Sequence, residues 1–236
     1  MEYRERLPPA SLAPWVVRAW ERRDGGGAPL RVLPDGCIDI IWTEGAGTAV
    51  VGANTTAFLV ALPACTHVVG VRLRPGAAPP LLGVDGAALR DARPALHELW
   101  GDDARELTAR LDAAADPAVA LLTWLVPRAA AAAAPDALVQ AAVARLGAGA
   151  GVRALAGELH VSERQLRRRV GAAVGYGPKR LARVLRLRRA LAAARGGVEL
   201  ARVAADAGYA DQAHLAGDCR ELAGVPPSAL LAPRAL

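Results

Sequence analysis

Arginine side chains at helical spacing are the residues of this 236-residue chain best suited to chemistry. Ser162 precedes Gln165 by three residues, which is the spacing of a capping box at the start of a helix. Leu166 and Val170 lie four residues apart and would face a core. The outward positions then belong to Glu163, Arg164, Arg167 and Arg168. Forked arginine donors match O6 and N7 of guanine, so the pattern predicts a helix that reads DNA, although a solvated basic helix face explains this stretch equally well.

The elements around this helix recur later in the chain. Residues 152–159 form a predicted short helix, and a tight turn at 160–161 leads to the cap at Ser162. Residues 200–215 repeat the short helix, the turn and the capped helix, with Asp211 as the cap and with Gln212 and His214 just behind it. Two copies of a helix-turn-helix pattern predict two reading heads, each with its second helix in a major groove.

A long helix from Pro178 to about residue 194 is predicted to join the two heads. Its apolar side carries Leu181, Val184, Leu185 and Leu191. On another side an arginine recurs every three residues, at Arg180, Arg183, Arg186 and Arg189, which predicts contacts with backbone phosphates. Lys179, Arg180 and Arg186 are therefore further DNA-binding candidates. A rigid spacer of this kind lets one chain address adjacent major-groove segments, which lie ~34 Å apart.

The N-terminal part must be built differently, because glycine and proline punctuate its first 75 residues. Strands are predicted over residues 37–42, 48–51, 58–62 and 67–73, as a small antiparallel barrel or sheet. Residues 76–134 are predicted to be helical, with helices over 102–114 and from Asp116-Pro117 that pack on the barrel or form a dimer interface. The second of these would use Val119, Leu122, Leu125 and Val126 as its apolar face. The predicted fold class is α+β, with an all-α C-terminal domain that holds both helix-turn-helix motifs.

The net charge of +6 is divided unevenly along the chain. Residues 1–134 hold 13 arginines against 15 acidic residues, whereas residues 135–236 hold 15 arginines and Lys179 against 8 acidic residues. Positive charge confined to one part indicates an anionic partner for that part. We place the boundary at the alanine run 129–134, with a sensor or dimerisation domain over 1–134 and a DNA-binding domain over 135–236.

Catalytic and metal chemistry find little support in the remaining side chains. His67, His97, His160 and His214 are scattered without metal-ligand spacing, and no phosphate-binding loop or nucleophile elbow occurs. Cys37, Cys65 and Cys219 lie far apart, which fits reduced thiols in a cytoplasm. For Cys37 and Cys65 a buried, apolar role is favoured over redox sensing. We expect no enzyme activity, no cofactor and no metal.

An effector site is predicted in the N-terminal part from two arginines and a tryptophan. Arg72 and Arg74 lie two residues apart on a predicted strand and would share one face, which with Trp42 makes a candidate site for an anionic effector. An ion-paired or solvated strand face is the favoured alternative. The charged start of the chain and the lack of a long apolar stretch predict a cytoplasmic protein with no membrane partner.

The motifs taken together resemble the AraC/XylS family of bacterial transcription regulators. The run at 162–168 is joined by Gly-Pro-Lys-Arg-Leu at 177–181 and Leu-Arg-Leu-Arg-Arg-Ala at 185–190. The most diagnostic stretch covers 203–215, and Gly-Val-Pro-Pro-Ser at 224–228 closes the signature. The first part resembles an N-terminal domain of some actinobacterial members at residues 33–39, 69–76 and 96–100.

The resemblance covers roughly residues 136–231 and implies a seven-helix, bipartite DNA-binding domain. It implies that Arg164, Arg167 and Arg168 read bases from the first recognition helix, and that Gln212 and its neighbours do so from the second. The implied protein is a sequence-specific regulator that binds double-stranded DNA and responds to a small-molecule effector through its N-terminal domain, and the choice between activator and repressor stays open. A contact with RNA polymerase and a homodimer stay open, as do two rivals: an architectural DNA binder and a repair regulator with thiol chemistry.

Three positions depart from the family pattern. Gly217 stands where a DNA-contacting arginine is expected, and glycine weakens a helix by roughly 1 kcal/mol. Asp218 would be unfavourable near phosphate, and Val170 replaces the usual phenylalanine. Our hypothesis is that the first unit dominates affinity and specificity, whereas the second mainly positions the protein.

Overall fold

The N-terminal strands form an open antiparallel sheet and a separate two-stranded ribbon. The computed structural model describes residues 2–23, 29–194 and 199–231. Its strands are β1 (Glu2–Arg6), β2 (Val16–Arg23), β3 (Leu30–Val32), β4 (Ile38–Thr43), β5 (Gly47–Val51), β6 (Phe58–Val60) and β7 (His67–Leu73). The sheet has the order β1-β2-β7-β4-β5, and β3 pairs with β6 to form the ribbon. Of the two predicted forms, the sheet is the one found in the described residues.

Alternation of apolar and polar residues explains the inner face of the sheet. In β4 the side chains of Ile38, Ile40 and Trp42 are buried, and those between them are partly exposed. The central strand β7 reads as a nearly continuous apolar run because it is covered on both sides. Strand β1 was not predicted, because it is charged and exposed throughout and is held by backbone pairing to β2. Charged side chains suit a sheet edge, where they discourage pairing with other chains.

Helices follow the sheet in the N-terminal part. They are α1 (Pro79–Leu82), α2 (His97–Trp100), α3 (Asp102–Asp112) and α4 (Pro117–Ala131), with 3-10 turns at Ala10–Leu12 and Gly86–Leu89. Asp116 caps α4 by accepting a hydrogen bond from the Val119 N–H at 3.0 Å, as its position before a proline predicts. The predicted apolar face of α4 was wrong at Val119, which is 44% exposed, because the helix buries Leu121 and Ala118 instead.

The C-terminal part is helical where the structure describes it. Its helices are α5 (Ala137–Gly147), α6 (Val152–Glu158), α7 (Glu163–Val174), α8 (Pro178–Ala194), α9 (Leu200–Asp206), α10 (Gln212–Asp218) and α11 (Pro227–Leu231), with a π-helical turn at Cys219–Ala223. These seven α-helices agree with the architecture that the family resemblance implies. The helix α8 (Pro178–Ala194) begins at Pro178, as expected from the sequence.

One continuous apolar core runs through both parts of the chain. Among the C-terminal helices it takes in Leu166 from α7, Leu181 from α8 and Leu215 from α10, together with small buried alanines such as Ala142 and Ala204. The division at residue 134 stays a prediction. No helix in the described part of the chain is both long and apolar enough to cross a membrane.

Candidate nucleic-acid interface

The turn of the first helix-turn-helix unit is closed by backbone hydrogen bonds at the end of α6. The N–H of Val161 bonds the Ala156 carbonyl at 3.0 Å, and the N–H of His160 bonds the Gly157 carbonyl at 3.1 Å. This pair of bonds is a Schellman motif, which places the residue after the helix in the left-handed region. That residue is His160, with φ of 52°, so the turn carries backbone strain that a glycine would avoid.

Helix α7 begins with the predicted capping box. The Gln165 N–H donates to Ser162 Oγ at 3.1 Å, and the Ser162 N–H donates to Gln165 Oε1 at 2.9 Å. These bonds satisfy donors that a helix start would otherwise leave free. The cap therefore fixes where α7 starts and which side chains face away from the core.

Four side chains of α7 are exposed: Glu163, Arg164, Arg167 and Arg168. None of them has a hydrogen bond, ion pair or ring contact with another described residue. The neighbouring Arg169 differs, because it pairs with Asp136 at 2.5 and 2.8 Å and so ties α7 to the start of α5. Burial alone would raise the pKa of Asp136, but the hydrogen bonds from Arg169 and the α5 backbone outweigh it and lower that pKa.

The second unit repeats the same backbone geometry. The N–H groups of Gly208 and Tyr209 bond the carbonyls of Ala205 and Ala204, at 3.0 and 2.9 Å, in a second Schellman motif. Here a glycine takes the left-handed position, with φ of 80°. The cap behaves as predicted, because the Asp211 carboxylate accepts a hydrogen bond from the His214 N–H at 2.7 Å.

The outward residues of α10 carry less charge than those of α7. Gln212 is exposed and makes no hydrogen bond to a described residue, and His214 lies edge-on against the Tyr209 ring at 5.0 Å between centroids. A Cβ added at Gly217 would meet nothing within 4 Å, so this position faces open space. Asp211 and His214 are used in capping, which leaves Gln212 as the free polar side chain at the start of α10.

The row of arginines on α8 turns inward, contrary to the predicted phosphate contacts. Arg180 donates to the Thr55 carbonyl at 2.7 Å, and Arg189 donates to the Ala207 carbonyl at 3.0 Å and also to that of Gly147. The sequence could not reveal these bonds, because each acceptor lies on a distant segment of chain. Lys179 remains exposed and without an ion pair to a described residue.

The other two arginines of this row, Arg183 and Arg186, both bind the carboxylate of Asp218. Its carboxylate accepts hydrogen bonds from Arg183 at 2.7 Å and from Arg186 at 2.9 Å, and its side chain is 3% exposed. Arg186 also lies over the Tyr209 ring, 4.0 Å from its centroid. The expectation that Asp218 repels phosphate was wrong, because the carboxylate is buried and already paired with two cations. Arg186 is thus ion-paired within the protein, and its predicted contact with DNA stays a prediction.

The three candidate effector residues do not come together as a site. Arg72 pairs with Asp39 at 3.1 and 3.2 Å and approaches Asp35 at 3.5 Å, which is the ion-paired alternative. Arg74 lies beyond the end of β7 and donates to the Ala13 carbonyl at 2.7 Å. Trp42 is buried on the inner face of the sheet and donates to Asp112 at 2.8 Å.

The three cysteines differ in burial. Among the described residues, no group of three or more His, Cys, Asp or Glu side chains is placed to hold a metal ion. Burial and the nearby Asp35 raise the pKa of the Cys37 thiol, and burial raises that of Cys219 to about 11. Cys65 is exposed, so its predicted burial was wrong.

Two family models match different parts of the chain. Residues 4–94 match a domain of unknown function, DUF6597, and residues 155–232 match a helix-turn-helix domain. The chain carries an AraC-type helix-turn-helix domain. The second match contains both capped helices, α7 and α10, which makes DNA binding and transcription regulation the function class of the chain.

Solved structures of ToxT from Vibrio cholerae are similar to the whole chain. One covers 97% of this chain and 96% of its own, with 11% sequence identity and a TM-score of 0.46. Wild-type ToxT bound to an unsaturated fatty acid covers 90% of this chain and 93% of its own, with 13% identity and a TM-score of 0.45. No curated protein matches the chain.

Proposed function

We propose that this DNA-binding transcription regulator is sequence-specific and reads double-stranded DNA chiefly through α7. The observation that carries the proposal is the set of exposed guanidinium groups of Arg164, Arg167 and Arg168, which have no partner among the described residues, on a helix whose start is fixed by a capping box. The first residues of a recognition helix are the ones that reach base edges in the major groove. A bidentate contact of this kind discriminates against a wrong base by about 1–3 kcal/mol.

The internal partners of the other arginines support this assignment. Arg180, Arg183 and Arg186 already donate to carbonyl or carboxylate acceptors within the described chain, which fix their orientation. Arg164 and Arg168 have no such partner within the described chain. We therefore assign base reading to α7, a phosphate contact to Lys179, and a smaller contribution to Gln212 at the start of α10.

A thiol-based repair function is disfavoured by the surroundings of the cysteines. Such chemistry needs a thiolate, which a lowered pKa would supply. Burial instead raises the pKa of Cys37 and Cys219, and no metal cluster accompanies them in the described residues. A response to a small-molecule effector stays a prediction, and it would have to use residues other than Trp42, Arg72 and Arg74.

The test is selection of bound sequences from a random duplex library, followed by titration of the selected and a scrambled duplex at several salt concentrations. We expect one short bipartite site, bound at least ~10³-fold more tightly than scrambled DNA. Affinity for both duplexes should fall as salt rises, because phosphate contacts release counterions. Strong salt dependence without a selected sequence would contradict sequence-specific reading and would support the architectural alternative.

A further inference from the structure

The N-terminal part of the chain contacts α5 through a hydrogen bond, and it contacts α7 of the first helix-turn-helix unit through a close backbone approach. The side-chain amide of Gln140, on α5, donates to the Pro75 carbonyl at 3.1 Å. The 3-10 turn at Gly86–Leu89 lies against the end of α7, where a Cβ at Gly86 would be only 2.6 Å from the Ala173 carbonyl oxygen. Backbones this close do not slide past one another without a change in structure, so the first unit is held firmly to the N-terminal part.

A second, separate contact holds the end of the second unit. The Leu222 carbonyl accepts a hydrogen bond from the Ala57 N–H at 2.7 Å, and the Ala223 carbonyl accepts one from Arg31 at 2.8 Å. These carbonyls end the π-helical turn Cys219–Ala223, and helix ends leave carbonyls that need partners from elsewhere. The donors come from β3 and from the residue before β6, so the N-terminal ribbon caps this helix.

The connecting helix α8 contacts both the residues before the ribbon strand β6 and the end of α10. Arg180 donates from α8 to the Thr55 carbonyl, which lies just before the ribbon strand β6. Farther along α8, Arg183 and Arg186 hold Asp218 at the end of α10. The second unit is therefore held from two sides, by α8 and by the ribbon, and the ribbon belongs to the part that also holds the first unit.

We propose that this ribbon, β3 and β6 with residues 55–57, is a brace that sets the orientation of the second reading head relative to the first. Arg31 is then a positioning residue that determines which spacing between two half-sites the protein accepts. The inference rests on the proposed function, because spacing has meaning only if both heads meet DNA. If α8 alone connected the two heads, they could change their relative orientation. The additional contacts with the brace favour one orientation.

The test compares binding to the selected bipartite site with binding to duplexes whose central gap is one to four base pairs longer or shorter. Wild type should lose affinity steeply as the gap changes. Arg31→Ala should reduce that discrimination about tenfold, the loss expected for a hydrogen bond from a charged donor, and should leave affinity for the first half-site alone unchanged. Arg31→Lys should recover part of the discrimination, since it keeps a cationic donor.

Two controls separate positioning from general destabilisation. Arg105→Ala removes an exposed arginine of α3 whose one ion pair within the described residues is with Asp102, and it should match wild type in every duplex. Hydrogen exchange should be faster in Arg31→Ala at residues 219–224 and unchanged in α7.

Undiminished spacing discrimination in Arg31→Ala, or unchanged exchange at 219–224, would overturn the brace. Failure of wild type to select any site would overturn the proposed function and the spacing role together, and so is distinct from these results.

Discussion

Asp218→Asn tests how far the second reading head depends on one buried carboxylate. The substitution keeps the size of the side chain and removes its charge. Arg186 would lose its carboxylate partner, whereas Arg183 would retain Glu221, to which it donates at 2.9 Å. Because the two guanidinium groups come from α8 and the carboxylate from α10, the loss falls on the packing of one head against the connecting helix.

The expected cost follows from the exposure of the three partners. Breaking a buried ion pair by removing one member costs about 3–5 kcal/mol. Here the carboxylate is 3% exposed, but the side chains of Arg183 and Arg186 are 34% and 23% exposed. Solvent screening and the acceptor oxygen that asparagine retains reduce the cost, so we expect a loss of about 2 kcal/mol in the free energy of unfolding.

Urea unfolding at neutral pH measures this loss, with Asp206→Asn as the matched control. Asp206 is 67% exposed and lies 3.7 Å from Arg202, so its substitution should change the free energy of unfolding by less than about 0.5 kcal/mol. Equal stability of Asp218→Asn and wild type would refute the reasoning.

The pH dependence of the stability difference between wild type and Asp218→Asn is a second, independent test. Burial alone would raise the pKa of Asp218, but the hydrogen bonds from Arg183 and Arg186 outweigh it, and the pKa is lowered. The stabilisation is therefore complete above the pKa of an unfolded aspartate, about 4, and is lost as the pH falls through the lower folded value. The gap between wild type and Asp218→Asn should narrow below about pH 4, and a gap that widens there would contradict the account.

Three further substitutions test local features of the heads. Ser162→Ala removes the α7 cap and should lower the free energy of unfolding by about 1 kcal/mol in urea titrations; an unchanged value would mean that the box adds nothing. His160→Gly should raise the free energy of unfolding by about 1 kcal/mol in the same titrations, because a left-handed backbone strains histidine. A lower free energy of unfolding would contradict that strain. Gly217→Arg adds a cation on the open side of α10 and should make the salt dependence of DNA binding steeper by about one unit; an unchanged slope would show that α10 lies away from phosphate.

Features that depend on neighbours in sequence were predictable. The caps at Ser162 and Asp211 appear where the spacing of the residues places them, because a cap bonds N–H groups two or three positions later. The start of α8 follows from Pro178, because proline suits the first turn of a helix. The repeat of helix, turn and capped helix was visible for the same reason.

Features that depend on distant partners were not predictable. The periodicity of Arg180, Arg183 and Arg186 shows only that they share a side of α8, and it is silent on whether solvent, DNA or protein faces that side. Their hydrogen-bond partners lie between 22 and 125 residues away in sequence. Strand β1 was not predicted for a related reason. It is formed by backbone pairing to β2, and its side chains show no alternation of apolar and polar residues.

The central claim, that α7 reads the DNA, is tested most directly by titrating the selected and scrambled duplexes with Arg168→Ala and Gln212→Ala. Arg105→Ala again serves as the control for the loss of an exposed arginine. We predict that Arg168→Ala loses about 1–3 kcal/mol of binding to the selected duplex and relaxes specificity at one position. Gln212→Ala should lose less. Equal losses in the two variants, or a larger loss in Gln212→Ala, would contradict the account.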